Sequence, residues 1–72
     1  MDFENFICAV PLSHKGIADY IRDSLLRKFK HPYVFIIKDN LKTNECEVWC
    51  ESSFQPPQYT LDVMRGKCDW RA

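Results

Sequence analysis

The chain has two glycines, Gly16 and Gly66, in 72 residues. That scarcity excludes the glycine-rich loops that cradle phosphates at strand–helix junctions. It also lacks a surplus of either charge, because ten basic and ten acidic side chains cancel. A neutral chain has no global field to draw it to nucleic acid or anionic lipid, and it lacks the acidic excess of a DNA mimic. No stretch approaches the ~20 apolar residues of a membrane span. The N-terminal segment carries Asp2 and Glu4 where a secretion signal would be basic, and its apolar run ends at Val10. The expectation is a cytoplasmic protein with no membrane association, whose Cys8, Cys46, Cys50 and Cys68 are reduced thiols.

What is present suits one small domain spanning residues 1–72. A chain of this length buries only about 60% of its unfolded surface, so its stability margin is thin. Five phenylalanines, three tyrosines and two tryptophans help to fill a core. Little surface remains for a deep enzyme pocket, and dimerisation is one way to gain burial.

The most informative segment is Glu45-Cys46-Glu47-Val48-Trp49-Cys50-Glu51. Alternate side chains of a strand point to opposite faces. Cys46, Val48 and Cys50 therefore share one face, and Glu45, Glu47, Trp49 and Glu51 share the other. The same geometry argues against Cys46-x-x-x-Cys50 as a metal motif. Four residues of extended chain span about 13 Å, whereas two thiolates on one zinc lie within about 4 Å of each other.

The rest of the chain divides at its prolines. Phe3–Val10 is apolar enough for a strand buried on both faces, ended by Pro11. Ser13 is the expected N-cap of a helix. Ile17, Ala18, Ile21, Leu25 and Phe29 fall within about 120° of arc and form a core-facing stripe. His31-Pro32 stops the helix after a basic last turn of Arg27, Lys28 and Lys30. Tyr33–Lys38 is β-branched and aromatic throughout and reads as a central strand. Asp39–Asn44 has turn chemistry, so this strand and the alternating one form a hairpin. Tyr59–Met64 alternates again and predicts a fourth strand, followed by a short extension at Cys68-Asp69-Trp70.

The predicted fold is thus a two-layer α+β domain. One helix packs on a three- or four-stranded sheet in the order β-α-β-β-(β), and if the first two strands are parallel their crossover is right-handed. The expected core is Phe6, Cys8, Ile17, Ile21, Leu25, Phe29, Val34, Ile36, Val48, Leu61 and Val63.

Each candidate chemistry has a plainer explanation. Cys8, Cys46, Cys50, Cys68, His14 and His31 lack the paired spacing of a zinc knuckle and read as small hydrophobes and solvated rings. Cys8 with His14 lacks the exposed, electropositive setting of a nucleophile. The glutamate row of the alternating strand reads as a solvated face or an edge guard. Arg27, Lys28, Lys30 and Tyr33 could track and stack a single nucleic-acid strand, but they also suit the negative end of a helix dipole.

Trp49 is different, because a tryptophan among Glu45, Glu47 and Glu51 is unexpected on a face that merely meets water. It anchors either a partner surface or a private cluster with Trp70 or Phe54. The sequence therefore predicts a non-enzymatic protein with no cofactor and no metal, acting as an inhibitor, adaptor or regulatory subunit, a profile that suits a small virus- or plasmid-encoded regulator. Its partner is another protein or a second copy of itself, contacted through Tyr20, Glu45, Glu47, Trp49, Glu51 and Phe54. Single-stranded nucleic acid at Arg27, Lys28, Lys30 and Tyr33 is the alternative.

Overall fold

A computed structural model describes residues 2–68. Its elements run β1 (Phe3–Pro11), a single 3-10 turn (Leu12–His14), α1 (Lys15–Lys28), β2 (Val34–Asn40), β3 (Glu45–Ser52) and α2 (Gln58–Gly66). The three strands form one sheet in the order β1-β3-β2. Both neighbours pair antiparallel to β3, so β1 and β2 run parallel to each other with β3 between them. This is the small α+β architecture that the sequence predicts, with β2 and β3 joined as a hairpin.

The hairpin turn follows from its asparagines. Asn40 Oδ1 accepts the backbone N–H groups of Lys42 and Thr43 at 3.1 and 3.4 Å, an Asx turn. Asn44 takes the left-handed conformation at φ 57°, which asparagine tolerates better than most residues.

α1 lies across the sheet on the face that carries Cys46, Val48 and Cys50. Ala18, Ile21 and Leu25 from the helix join these three, with Val10, Ile7 and Phe35, in one buried cluster. The predicted stripe is therefore the packed face, with Ile17 and Phe29 partly buried at its ends. The helix begins after the 3-10 turn rather than at a Ser13 cap, and among the described residues no side chain caps its N-terminus. Ser13 Oγ instead lies 3.1 Å from His14 Nδ1. At the other end the Phe29 N–H still donates to Leu25 O at 2.7 Å while Phe29 itself is extended, which stops the helix just before the His31-Pro32 pair.

Four features depart from the sequence reading. First, Tyr59–Met64 is part of helix α2, not a fourth strand. The alternation there is real but short, and Leu61, Met64 and Cys68 also recur at helical spacing. All three are buried, whereas Val63 is 42% exposed. Pro57 precedes the helix, its carbonyl accepting the N–H groups of Thr60 and Leu61, and Gln58 Nε2 donates to Asp62 Oδ1 at 2.9 Å one turn on.

Second, Phe6 lies on the face away from the helix and is 41% exposed. The register along β1 shifts between Phe6, opposite Trp49, and Cys8, opposite Val48. Ile7 is the extra residue of a β-bulge. The bulge turns Ile7 and Cys8 both towards the helix layer, where Ile7 is buried and Cys8 partly so.

Third, Phe35 and Ile37 face the core, because they pair with Cys50 and Val48. Val34 and Ile36, expected inside, therefore face away, and Val34 is 51% exposed. Fourth, β2 is an edge strand and β3 is the central one. Of the predicted extension at Cys68-Asp69-Trp70, Cys68 lies in a turn after α2, and Asp69, Trp70 and the contact of Trp70 with Trp49 lie outside the described residues.

Truncation separates the helical from the extended reading of residues 59–64. Met64→Ala should destabilise by about 2–5 kcal/mol and Val63→Ala by roughly 0.5 kcal/mol in urea unfolding. A strand would reverse that order. Leu25→Ala should cost about 2–5 kcal/mol in the same assay.

Candidate functional site

Both helices contribute to the cluster around Val48, and among the described residues no helix covers the opposite face of the sheet. The strand register places the side chains of that open face in rows. Phe6, Trp49 and Ile36 form one row across all three strands. Glu4, Glu51 and Val34 flank it on one side, and Ala9, Glu47 and Lys38 on the other. Pro11, Glu45 and Asn40 complete the face at the hairpin end. An apolar bar thus crosses an otherwise charged surface at its middle.

Trp49 is held from several directions. Its indole N–H donates to Glu47 Oε1 at 2.9 Å. The Phe6 ring meets it edge-on, with centroids 5.6 Å apart and planes at 79°. Lys38 Nζ sits 4.6 Å from the indole centroid, a cation–π contact, and continues to Glu4 Oε1 at 2.7 Å. The ammonium therefore passes over β3 from β2 to reach β1. This strap resolves a local conflict, because Glu4 and Glu51 stand directly opposite each other.

The electrostatics follow from these contacts. The Lys38–Glu4 hydrogen bond raises the Lys38 ammonium above its ordinary value. The Asn40 amide, 3.0 Å from Glu47 Oε2, and then the Trp49 indole hold the Glu47 carboxyl below the usual carboxylate range. On the helix side Lys15 and then the Cys46 thiol lower Asp39 in the same way.

The sequence-selected residues divide between the two sides. Glu45, Glu47, Trp49 and Glu51 lie together on the open face. Tyr20 is 68% exposed on α1, in the other layer. Phe54 packs on Tyr33 at 5.8 Å, and Tyr33 meets Phe29 edge-on at 6.2 Å, which joins Phe54 to the helix side. Neither Tyr20 nor Phe54 shares a surface with Trp49. Sequence reasoning missed Glu4, Phe6, Val34, Ile36 and Lys38. The signal that could have found Phe6 is the unbroken Phe6-Ile7-Cys8 run, which leaves room for a bulge.

The nucleic-acid candidates form a looser group. Arg27, Lys28 and Lys30 are exposed at the end of α1, with the Lys28 ammonium 5.9 Å from the Phe29 ring. The Tyr33 ring is engaged by Phe29 and Phe54.

The cysteines are occupied as packing groups. Burial pushes the Cys50 thiol up to about 11, with the nearby Glu51 adding to it. Burial and the hydrogen bond to Asp39 also raise Cys46. Cys8 lies beside Cys68, and that hydrogen bond, together with burial, keeps the proton on the Cys8 thiol. Among the described residues no group of three or more His, Cys, Asp or Glu side chains is arranged to hold a metal ion. A cavity of about 250 Å³ between His31, Val34 and Glu51 is smaller than the pockets that usually enclose small ligands. No helix among the described residues is long and apolar enough to cross a membrane.

Comparison with known families, characterised proteins and solved structures finds no match to this chain.

Two measurements probe the cover over Trp49, best made with Trp70→Phe so that one indole reports. Lys38→Ala should raise acrylamide quenching of Trp49 with little change in melting temperature; unchanged quenching would show that the ammonium does not shield the ring. The second is a pH titration. Because the folded carboxyl of Glu47 is lowered, the stability it contributes is fully present above the ordinary glutamate value. That contribution is lost as pH falls through the lowered value. The Trp49 indole N–H resonance should shift in that acid window, and Glu47→Gln should abolish the shift.

Proposed function

We propose that this chain is a small non-enzymatic protein-binding module, an inhibitor, adaptor or regulatory subunit of the cytoplasm, that docks through the open face of its sheet. The observation that carries this reading is the Phe6–Trp49–Ile36 row. It sets an aromatic anchor at the centre of a face and surrounds it with carboxylates from Glu4, Glu45, Glu47 and Glu51. Interfaces concentrate their energy in such central aromatics, while the charged rim selects partners and speeds encounter. The complementary surface is an apolar patch with a basic rim. The Lys38–Glu4 strap does not oppose docking, because both side chains are well exposed and a surface ion pair is weak.

The rival function is binding of a single nucleic-acid strand at Arg27, Lys28, Lys30 and Tyr33. Its support is the exposed basic end of α1. It lacks a free stacking platform there, because Tyr33 packs between two other rings.

Affinity capture with the wild-type chain and variants tests the proposal. Trp49→Ala should weaken capture of the partner, measured per folded molecule, by about 2 kcal/mol or more, with a smaller loss of stability from the Phe6 contact. Glu47→Lys with Glu51→Lys should slow association and reduce its salt dependence. Tyr20→Ala and Phe54→Ala should leave capture intact. A large loss of stability in Trp49→Ala, with binding per folded molecule preserved, would return Trp49 to a purely structural role. Tight, salt-sensitive oligonucleotide binding that Lys28→Ala and Lys30→Ala remove would favour the rival.

A further inference from the structure

We infer that the chain associates with a second copy of itself by antiparallel pairing of the two β2 edges, in the register that sets Ile36 opposite the partner's Ile36. The two edges of the sheet are treated very differently. β1 ends in Pro11 and carries a bulge at Ile7, and Arg65 of α2 caps it by donating twice to Phe6 O, at 3.2 and 2.8 Å. Proline, bulges and covering elements are the usual guards of an edge. β2 has none of these among the described residues. Among the described residues only β3 pairs with it, and its Val34-Phe35-Ile36-Ile37 segment has the composition of a central strand. Its two charged residues are withdrawn from the edge. Lys38 reaches back over Trp49 to Glu4, and Asp39 is bound by Lys15 at 3.0 Å.

The register follows from the faces. A two-fold axis normal to the sheet keeps each face on its own side, so it must pass beside a single residue. Centred on Phe35, the ladder pairs only Val34–Ile36 before it leaves the strand for Tyr33 and Pro32, whereas centred on Ile36 it pairs Val34–Lys38. Centred on Ile37, it lays the Asp39 carboxylate against the ring of Phe35. Centred on Lys38, it lays the Asp39 carboxylate against Ile37 and pairs only Ile36–Asn40, away from the apolar end of the strand. Centred on Ile36, it opposes Val34 to the partner's Lys38 and Phe35 to the partner's Ile37, with no like charges facing. This last register also continues the apolar bar. Phe6, Trp49 and Ile36 of one copy run directly into Ile36, Trp49 and Phe6 of the other across a six-stranded sheet. The pairing uses the strand edge and stands without the proposed protein partner.

Analytical ultracentrifugation of the chain from micromolar to millimolar concentration should show a monomer–dimer equilibrium. Ile36→Lys and Ile36→Glu should each weaken it about tenfold or more, since each sets like charges opposite across the axis. An equimolar mixture of the two should restore the dimer as a mixed species. Trp49→Ala should leave the dimer intact, which separates this contact from partner binding. Wild type that stays monomeric throughout overturns the proposal, as does an Ile36→Lys dimer of undiminished affinity. Should the Ile36 variants unfold, amide hydrogen exchange of the wild type decides. Amides within residues 34–38 should gain protection as concentration rises, and concentration-independent exchange there overturns the pairing.

Discussion

A central strand whose two faces differ as sharply as those of β3 constrains every element around it. Cys46, Val48 and Cys50 are wholly buried, and Glu45, Glu47, Trp49 and Glu51 between them are not. Because the side-chain period is two, a one-residue slip of either neighbour would carry its residues to the wrong face. The pairings of Phe35 with Cys50 and of Ile37 with Val48 fix β2. Val10 opposite Cys46 fixes one end of β1, and the bulge at Ile7 adjusts the rest. Once the faces are set, α1 has one place to bury Ala18, Ile21 and Leu25, and α2 extends the same cluster with Leu61 and Met64. The face left over becomes the candidate site.

That constraint also shows which parts of the molecule the sequence could reveal. The β3 alternation and the α1 stripe are legible because apolar and polar residues segregate at a single period. β2 is not, since Val34, Phe35, Ile36 and Ile37 are apolar at both parities. Only the register with β3 decides that Phe35 and Ile37 go inside. Phe6 fails for another reason, because a bulge breaks the period within a run that gives no polar marker. Over residues 59–64 the alternate and helical templates compete across a segment too short to separate them. Met64 and Cys68, buried a turn apart, settle it in three dimensions. The candidate site was half legible on the same grounds: β3 supplied its glutamates and Trp49, and the contributions of β1 and β2 needed the register.

The structure changes the meaning of Trp49. From sequence, a tryptophan among glutamates calls for a cover, either a partner or a private cluster with Trp70 or Phe54. The described residues supply a partial one from within, through Phe6, Lys38 and the Glu47 carboxylate. Phe6 and Trp49 form an edge-on aromatic pair, an interaction on the order of 0.5–1.5 kcal/mol beyond area burial. The strap is of a different kind, being a solvent-screened ion pair that gives way easily. A face built this way is ordered when free and still available. In the proposed docking, Trp49 would already be positioned, which reduces the ordering that binding costs.

Net neutrality conceals a polar arrangement of charge. The carboxylates of Glu4, Glu45, Glu47 and Glu51 gather on the open face, offset there among the described residues by Lys38. Arg27, Lys28 and Lys30 stand at the end of α1, in the other layer. The global field is weak, yet a partner arriving within a Debye length, about 8 Å at physiological ionic strength, meets a predominantly acidic surface. Pairing two copies through β2 would preserve this separation, because a two-fold axis normal to the sheet places both acidic faces on one side and both helices on the other. The result would be a single acidic platform with an apolar bar through its middle, and a neutral chain would then offer a charged, two-fold-symmetric surface to a basic partner.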